Sequence, residues 1–373
     1  MENSGGHLRI ALVAPPYFDV PPAAYGGIEA VVADLADALV ADGHAVTLIG
    51  AGAPSTSADF VRTWDHLVPD RLGEPYPEIM NTLLTRQAVG SIRGQIDVVH
   101  DHTTAGPLNA AVYARWGLPT VVTMHGPADD PDMRSFYRSL GSSVHMVAIS
   151  HRQRVLAPEL NWVGTVHNAV RVEQWPFQDT KRGYALFLGR FSPDKGAHTA
   201  LDAAHAAGLP LVLAGKCVEP LEKEYFANVV EPRLGPDDVV FGLADAREKR
   251  LLLAHARCLL FPVQWEEPFG MVMIEAMACG TPVVAMGAGA VPEVVIDGVT
   301  GYICDDVGQL PAAIKTVGDL DPVACRAHVA SRFSAAGLAR GYADAYRRAI
   351  AATSSAPRRL ERRRETRPRT HAA

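Results

Sequence analysis

No two of the five cysteines (Cys217, Cys258, Cys279, Cys304 and Cys325) stand at C-x-x-C spacing, and their number is odd. That excludes a disulfide framework and a cysteine zinc site; reduced, buried thiols in a cytosol are expected. Long apolar runs are missing too. The run near the start, residues 10–14, is far below a signal-peptide core or a membrane span. A soluble, cytoplasmic protein without a transmembrane segment is therefore expected. Nor is there a broad excess of basic residues. The net charge is −6, and the seven Arg and two Glu of residues 357–373 give that tail +5, which leaves −11 for the rest. An acidic body does not suit a nucleic-acid partner, which asks for a basic face. A Walker A loop is absent as well, because Cys217 follows Gly215-Lys216 where Ser or Thr is required.

What the chain does have is size and alternation. Its 373 residues, 48% of them hydrophobic, exceed one typical core and suit two domains of roughly 150–200 residues. Apolar runs at residues 8–14, 46–49, 98–102, 120–125, 148–150 and 166–170 read as strands of a first domain. Runs at 184–189, 211–214, 239–241, 258–262, 283–285 and 302–304 read as strands of a second, with helical patterning between them. This β-α alternation implies an α/β protein with parallel doubly wound sheets. The span 53–95 shows only weak patterning and is not assigned. His44 lies in a helix-to-strand turn and reads as structural.

Residues 265–282, W-E-E-P-F-G-M-V-M-I-E-A-M-A-C-G-T-P, carry the chemistry most plainly. Pro268 precedes a short helix that Gly280 and Pro282 end. Free N–H groups at its start, around Phe269, Gly270 and Met271, make a ready site for phosphate. Glu267 before that end and Glu275 about two turns in can flank a ligand and accept from hydroxyls. A sugar joined to a nucleoside diphosphate fits both features. On spacing alone, Glu267 as a helix cap and Glu275 as an ordinary helix residue fit equally well.

Other stretches face the same way. Tyr25-Gly26-Gly27-Ile28-Glu29 sits between a strand and a helix whose Ile28, Val31, Val32, Leu35 and Leu39 recur at helical spacing, and paired glycines there let amides approach a phosphate. Gly189 ends a strand, and Arg190 and Lys195 follow on its loop, placed to neutralise a diphosphate. Asp101, His102 and His125 stand at strand ends, where open α/β sheets bind ligands. Asp130-Pro131-Asp132 has a D-x-D spacing but lies in a proline-rich turn, which disfavours a metal site. Arg134, Arg138, Arg152 and Arg154 form either a solvated face or a site for an acidic acceptor; the second reading predicts that Arg134→Ala raises the acceptor KM.

Glu267-Pro-Phe-Gly with Glu275-Ala-Met-Ala-Cys-Gly-Thr-Pro-Val resembles the E-x7-E segment of the retaining glycosyltransferases of family 4. Gly189-Arg190 through Lys195-Gly196 is similar to that family's G-R-x4-K-G, Thr123-Met124-His125-Gly126 to its T-x-H-[GD], and Gly26-Gly27-x-Glu29 to its first glycine loop. Two departures stand out. Ala169 follows Asn168 where the family usually has Gly, and Cys217 ends a Gly-Lys-Cys where it usually has Gly-x-Gly. The resemblance covers most of residues 8–350 and implies a GT-B fold, two Rossmann-like domains facing across a cleft. It implies an acceptor-side domain at residues 1–175, a nucleotide-sugar donor domain at 176–335 and a helix at 336–352 that returns to the first domain; from its composition, the Arg-rich tail at 353–373 is expected to be disordered.

By the same resemblance, a sugar moves with retention from a nucleoside-diphosphate sugar to a hydroxyl of a carbohydrate, lipid-linked or small-molecule acceptor, without metal or other cofactor. Arg190 and Lys195 would stabilise the departing diphosphate and His125 would face the donor sugar. Glu267 would contact sugar hydroxyls and Glu275 the ribose, with Gly26, Gly27, Gly189, Phe269, Gly270 and Met271 on the donor. Asp101, His102 and Arg134 are the acceptor-side candidates. A sugar-nucleotide epimerase or hydrolase on the same fold, and a non-catalytic binding protein, are the alternatives.

Overall fold

Strands apolar on both faces must be covered on both sides, which parallel sheets achieve with a layer of helices on each face. The computed structural model describes residues 6–355 and shows two such sheets. The first contains β1 (Arg9–Val13), β2 (Ala45–Ala51), β3 (Asp59–Trp64), β4 (Val98–Asp101), β5 (Thr120–Met124), β6 (Val144–Ala148) and β7 (Trp162–Thr165). All are parallel, in the order β3-β2-β1-β4-β5-β6-β7. The second contains β8 (Ala185–Leu188), β9 (Leu211–Ala214), β10 (Val239–Gly242), β11 (Cys258–Phe261), β12 (Val283–Met286) and β13 (Gly301–Cys304), parallel in the order β10-β9-β8-β11-β12-β13. This is the GT-B arrangement.

Each sheet reverses its strand order beside its first strand, between β1 and β4 and between β8 and β11. Loops leaving the carboxyl ends of strands at such a switch point diverge and leave a crevice. The Gly26-Gly27 loop follows β1 and His102 follows β4. Arg190 and Lys195 follow β8, and Glu267 follows β11. Topology alone therefore gathers the candidate residues.

The chain then crosses back. Helix Ala335–Ser355 buries Leu338, Tyr342, the adjacent Ala345 and Tyr346, and Ala349 on one face, in one core with Leu35 and Leu39 of helix Gly27–Ala41. This helix continues three residues past the expected end at 352; the Arg-rich segment beyond 355 lies outside the described residues. No described helix is long and apolar enough to cross a membrane.

One local expectation changes, and two points left open by the sequence are filled in. Residues 166–170 are not a strand; β7 is Trp162–Thr165, a half-buried edge strand, and Val170 instead donates its N–H to Phe333 O at 3.0 Å. Span 53–95 contains β3 and helix Pro75–Ile92. Every described residue with positive φ is glycine, so the loop at Ala169 is built without a left-handed residue.

Candidate active site

Gly270, with φ +80°, begins helix Met271–Ala278, and Phe269 packs beneath it fully buried. A non-glycine side chain there would suffer both the left-handed backbone and the Phe261 ring. The turn presents Glu267 to Lys195, whose Nζ lies 2.6 Å from Glu267 Oε2. The side chains are only 18% and 11% exposed, so the pair is shielded from water. Lys195 also stands 4.8 Å above the Trp265 ring, a cation–π contact.

Glu275 is 6% exposed, and the partner that its burial demanded is Lys249, Nζ to Oε1 2.7 Å. Lys249 and Arg250 in turn lie over Trp175, at 5.3 and 5.4 Å. Neither Lys249 nor Trp175 was visible as a site residue from sequence. A lysine 26 positions upstream carries no local signal.

A cavity of about 360 Å³ joins the two domains here, lined by Gly26, Gly27, Gly189, Arg190, Met271 and Glu275 among others. Five cations (Arg171, Arg190, Lys216, Lys249, Arg250) and two carboxylates (Asp34, Glu275) border it, a balance suited to an anionic ligand. Lys195, Glu267 and His125 are not among its lining residues. Gly215 also lines it, and a Cβ there would collide with Gly189 O, so the position requires glycine. Across the cleft Gly26, with φ +143°, caps helix Gly27–Ala41 beside Pro22. Glu29, two residues into that helix and 3% exposed, has its carboxyl pushed up to about 7 by burial. Lys216 Nζ lies 5.6 Å over the Tyr25 ring, and Ala246 N donates to Ala23 O at 3.1 Å, so the domains touch at this rim.

The histidines form a chain inward from the cleft. His125 Nε2 is 2.8 Å from His102 Nδ1, and His102 Nε2 is 3.3 Å from His100 Nδ1. His100 reaches Tyr346 OH and Thr123 Oγ1, both at 2.8 Å, and Thr123 Oγ1 reaches Tyr342 OH at 2.8 Å. Desolvation holds all three imidazoles below their usual range, His125 at about 4, so they are neutral near pH 7. The returning helix thus supports the site through two tyrosines.

The acceptor-side candidates fare differently. His102 is 3% exposed and serves as a link in that chain. Asp101 is fully buried, and its Oδ1 accepts from the Thr103 N–H at 2.8 Å and Oγ1 at 2.7 Å, so it shapes the loop rather than facing the cleft. Arg134 is held by Glu159 at 2.7 Å on the surface. Asp130 caps helix Pro131–Leu140 through the amides of Asp132 and Met133, so the D-x-D is a helix start. His44 Nδ1 accepts from Leu8 N at 3.2 Å, a structural bond.

The family model described as "Glycosyl transferases group 1" matches residues 173–319, and that described as "Glycosyltransferase Family 4" matches residues 25–174. The alpha-maltose-1-phosphate synthase of Mycobacterium tuberculosis is 29% identical over 92% of this chain and all of its own. The phosphatidyl-myo-inositol mannosyltransferase of Mycobacterium leprae is 28% identical over 79% of this chain and 83% of its own. Among solved structures, a glycosyltransferase involved in avilamycin A biosynthesis is 28% identical, with a TM-score of 0.68 over 92% of this chain and 98% of that one. Paired parallel sheets, a cleft at both switch points and adjoining family matches converge: the chain belongs to the GT-B glycosyltransferases of group 1, family 4.

Proposed function

We propose that this protein transfers a hexosyl group from a nucleoside-diphosphate sugar to a hydroxyl acceptor with retention, using its own cations in place of a metal at the diphosphate. The observation that carries the reading is the Lys195–Glu267 pair at 2.6 Å on loops after β8 and β11, with Arg190 on the same loop as Lys195 and lining the interdomain cavity. A diphosphate entering between them offers Lys195 a second anionic partner. Glu267 is then free to accept from sugar hydroxyls.

Charge that builds on the leaving phosphate falls to Arg190, Lys195 and the amides at the start of helix Met271–Ala278. The bond from the sugar anomeric carbon to the phosphate oxygen breaks while the acceptor oxygen bonds the same face. The acceptor proton passes to the departing phosphate oxygen, so no protein nucleophile is required. Glu275, fixed by Lys249 at 2.7 Å, lines the cavity where a ribose would lie. Relatives named as a maltose-phosphate synthase and as a mannosyltransferase support hexosyl transfer, and their differing products leave the acceptor to be found.

Thermal denaturation with UDP, GDP, ADP and their sugars, with and without EDTA, tests the donor. One series raises the midpoint irrespective of EDTA, and the rise disappears in Lys195→Ala. Mass action gives about 2.7 kcal/mol at a hundredfold excess over Kd. Protection only with added divalent metal sinks the metal-free reading. Inversion at the anomeric carbon of an isolated product sinks retention.

A further inference from the structure

Apart from the Lys195–Glu267 pair, which lies within the second domain, a separate cluster joins the two domains. Glu293, in the turn Val291–Val294 of the second, reaches across to the first. Its Oε2 accepts from the His151 amide at 2.8 Å and lies 2.9 Å from His167 Nε2, and its Oε1 accepts from the Arg152 amide at 2.8 Å. The His151 and His167 rings meet edge to face, centroids 5.5 Å and planes 88° apart. One ligand atom from each of His151, His167 and Glu293 lies within 4.8 Å of the others.

We propose that His151, His167 and Glu293 form a binding site for a zinc-class divalent transition metal that bridges the domains. Two imidazole nitrogens and one carboxylate oxygen suit Zn²⁺, Co²⁺, Ni²⁺ or Cu²⁺, whereas Mg²⁺ and Ca²⁺ favour all-oxygen sites. In a tetrahedral site with bonds of about 2.0–2.2 Å, neighbouring ligand atoms stand roughly 3.3–3.5 Å apart. The His167–Glu293 edge, at 2.9 Å, is already near that spacing. Only the His151 ring has to swing in. It is exposed at the first position of its helix, and among the described residues it makes no hydrogen bond that would hold it back. Nearby Arg152 does not oppose a cation, because its guanidinium is neutralised by Glu266 at 2.5 Å.

Because its ligands come from both domains, the metal binds only when they are apposed as here. It therefore favours this apposition of the two domains by linkage.

Metal-free full-length protein titrated with ZnCl₂ by calorimetry, and with CoCl₂ by visible absorption, tests the site. One ion per chain is expected, with a raised thermal midpoint. His151→Ala and His167→Ala should each weaken binding at least about tenfold, and His151→Ala should leave the metal-free midpoint nearly unchanged because the exposed ring makes no hydrogen bond and only one edge contact, with His167. No binding by the wild type, or wild-type affinity in either variant, overturns the proposal. The readout is metal binding, so failure here leaves the glycosyl-transfer reading intact.

Discussion

Lys195 and Glu267 come from loops 72 positions apart, yet their charged atoms meet at 2.6 Å with neither side chain more than 18% exposed. The pair fills the place proposed for the diphosphate and sugar, so each residue is held ready by the other. Lys195→Met is expected to lower kcat/KM by about 100- to 1,000-fold, the usual cost of losing one well-placed donor. It also strands a shielded carboxylate. Lys195→Met with Glu267→Gln should therefore unfold at higher urea than Lys195→Met alone, though it too is inactive. Equal stability of the two would show that the ion pair is not formed in solution.

Lys249→Ala tests the second pair. Glu275 is 6% exposed, and without Lys249 it is a buried charge lacking a counterion. Breaking such a pair costs on the order of 2–4 kcal/mol, less than a fully buried one because Lys249 is 24% exposed. Adding Glu275→Gln should restore most of that loss in urea denaturation. Restored stability without restored donor protection separates the structural role of Glu275 from its proposed contact with the ribose.

How far the sequence carried can be traced residue by residue. The two-sheet architecture was legible because strands such as β11 and β12 are apolar throughout and alternate with helical stretches. The gathering of Arg190, Lys195 and Glu267 was legible because each follows a strand that topology places beside the cleft. Helix Pro75–Ile92 was hidden because its buried positions include Asn81, Thr82 and Thr85, so polarity does not follow exposure. Helix Met271–Ala278 disclosed its carboxylate but not its partner, since Lys249 is brought in by tertiary packing. The histidine chain was half visible. His102 and His125 sat at strand ends, but their dependence on Tyr342 and Tyr346 spans more than 200 positions.

Asp101 gives a pH signature. Burial pushes its carboxyl up to about 7, against roughly 3.9 when unfolded. Between those values the native state holds a proton that the unfolded state has released. This contribution to stability is therefore fully present below about pH 4 and lost as pH rises through 7. Asp101→Asn removes the titration while keeping an oxygen for the Thr103 amide. Urea unfolding at pH 5, 6, 7 and 8 should show the variant gaining on the wild type as pH rises, by at most about 2.7 kcal/mol across that range. A difference that does not change with pH would mean that Asp101 is ionised throughout.

Gly289 offers a test of how tightly Glu267 must be placed. Its φ is +58°, and a Cβ there would collide with the backbone N and O of Glu267. Ala290 N also donates to Glu267 O at 3.0 Å, so this turn is the floor on which Glu267 stands. Gly298 has φ +70° with nothing within 4 Å of a Cβ, which makes it the matched control. Both Gly289→Ala and Gly298→Ala incur the left-handed penalty of about 1–2 kcal/mol, and both should stay folded. Only Gly289→Ala also shifts Glu267 relative to Lys195, and a displacement near 1 Å can cost about 100-fold in rate. Transfer assays at saturating donor should then show a large fall in kcat for Gly289→Ala and wild-type turnover for Gly298→Ala. Equal activity in the two variants would separate catalysis from the position of the Glu267 backbone and leave the role proposed for that carboxylate without support.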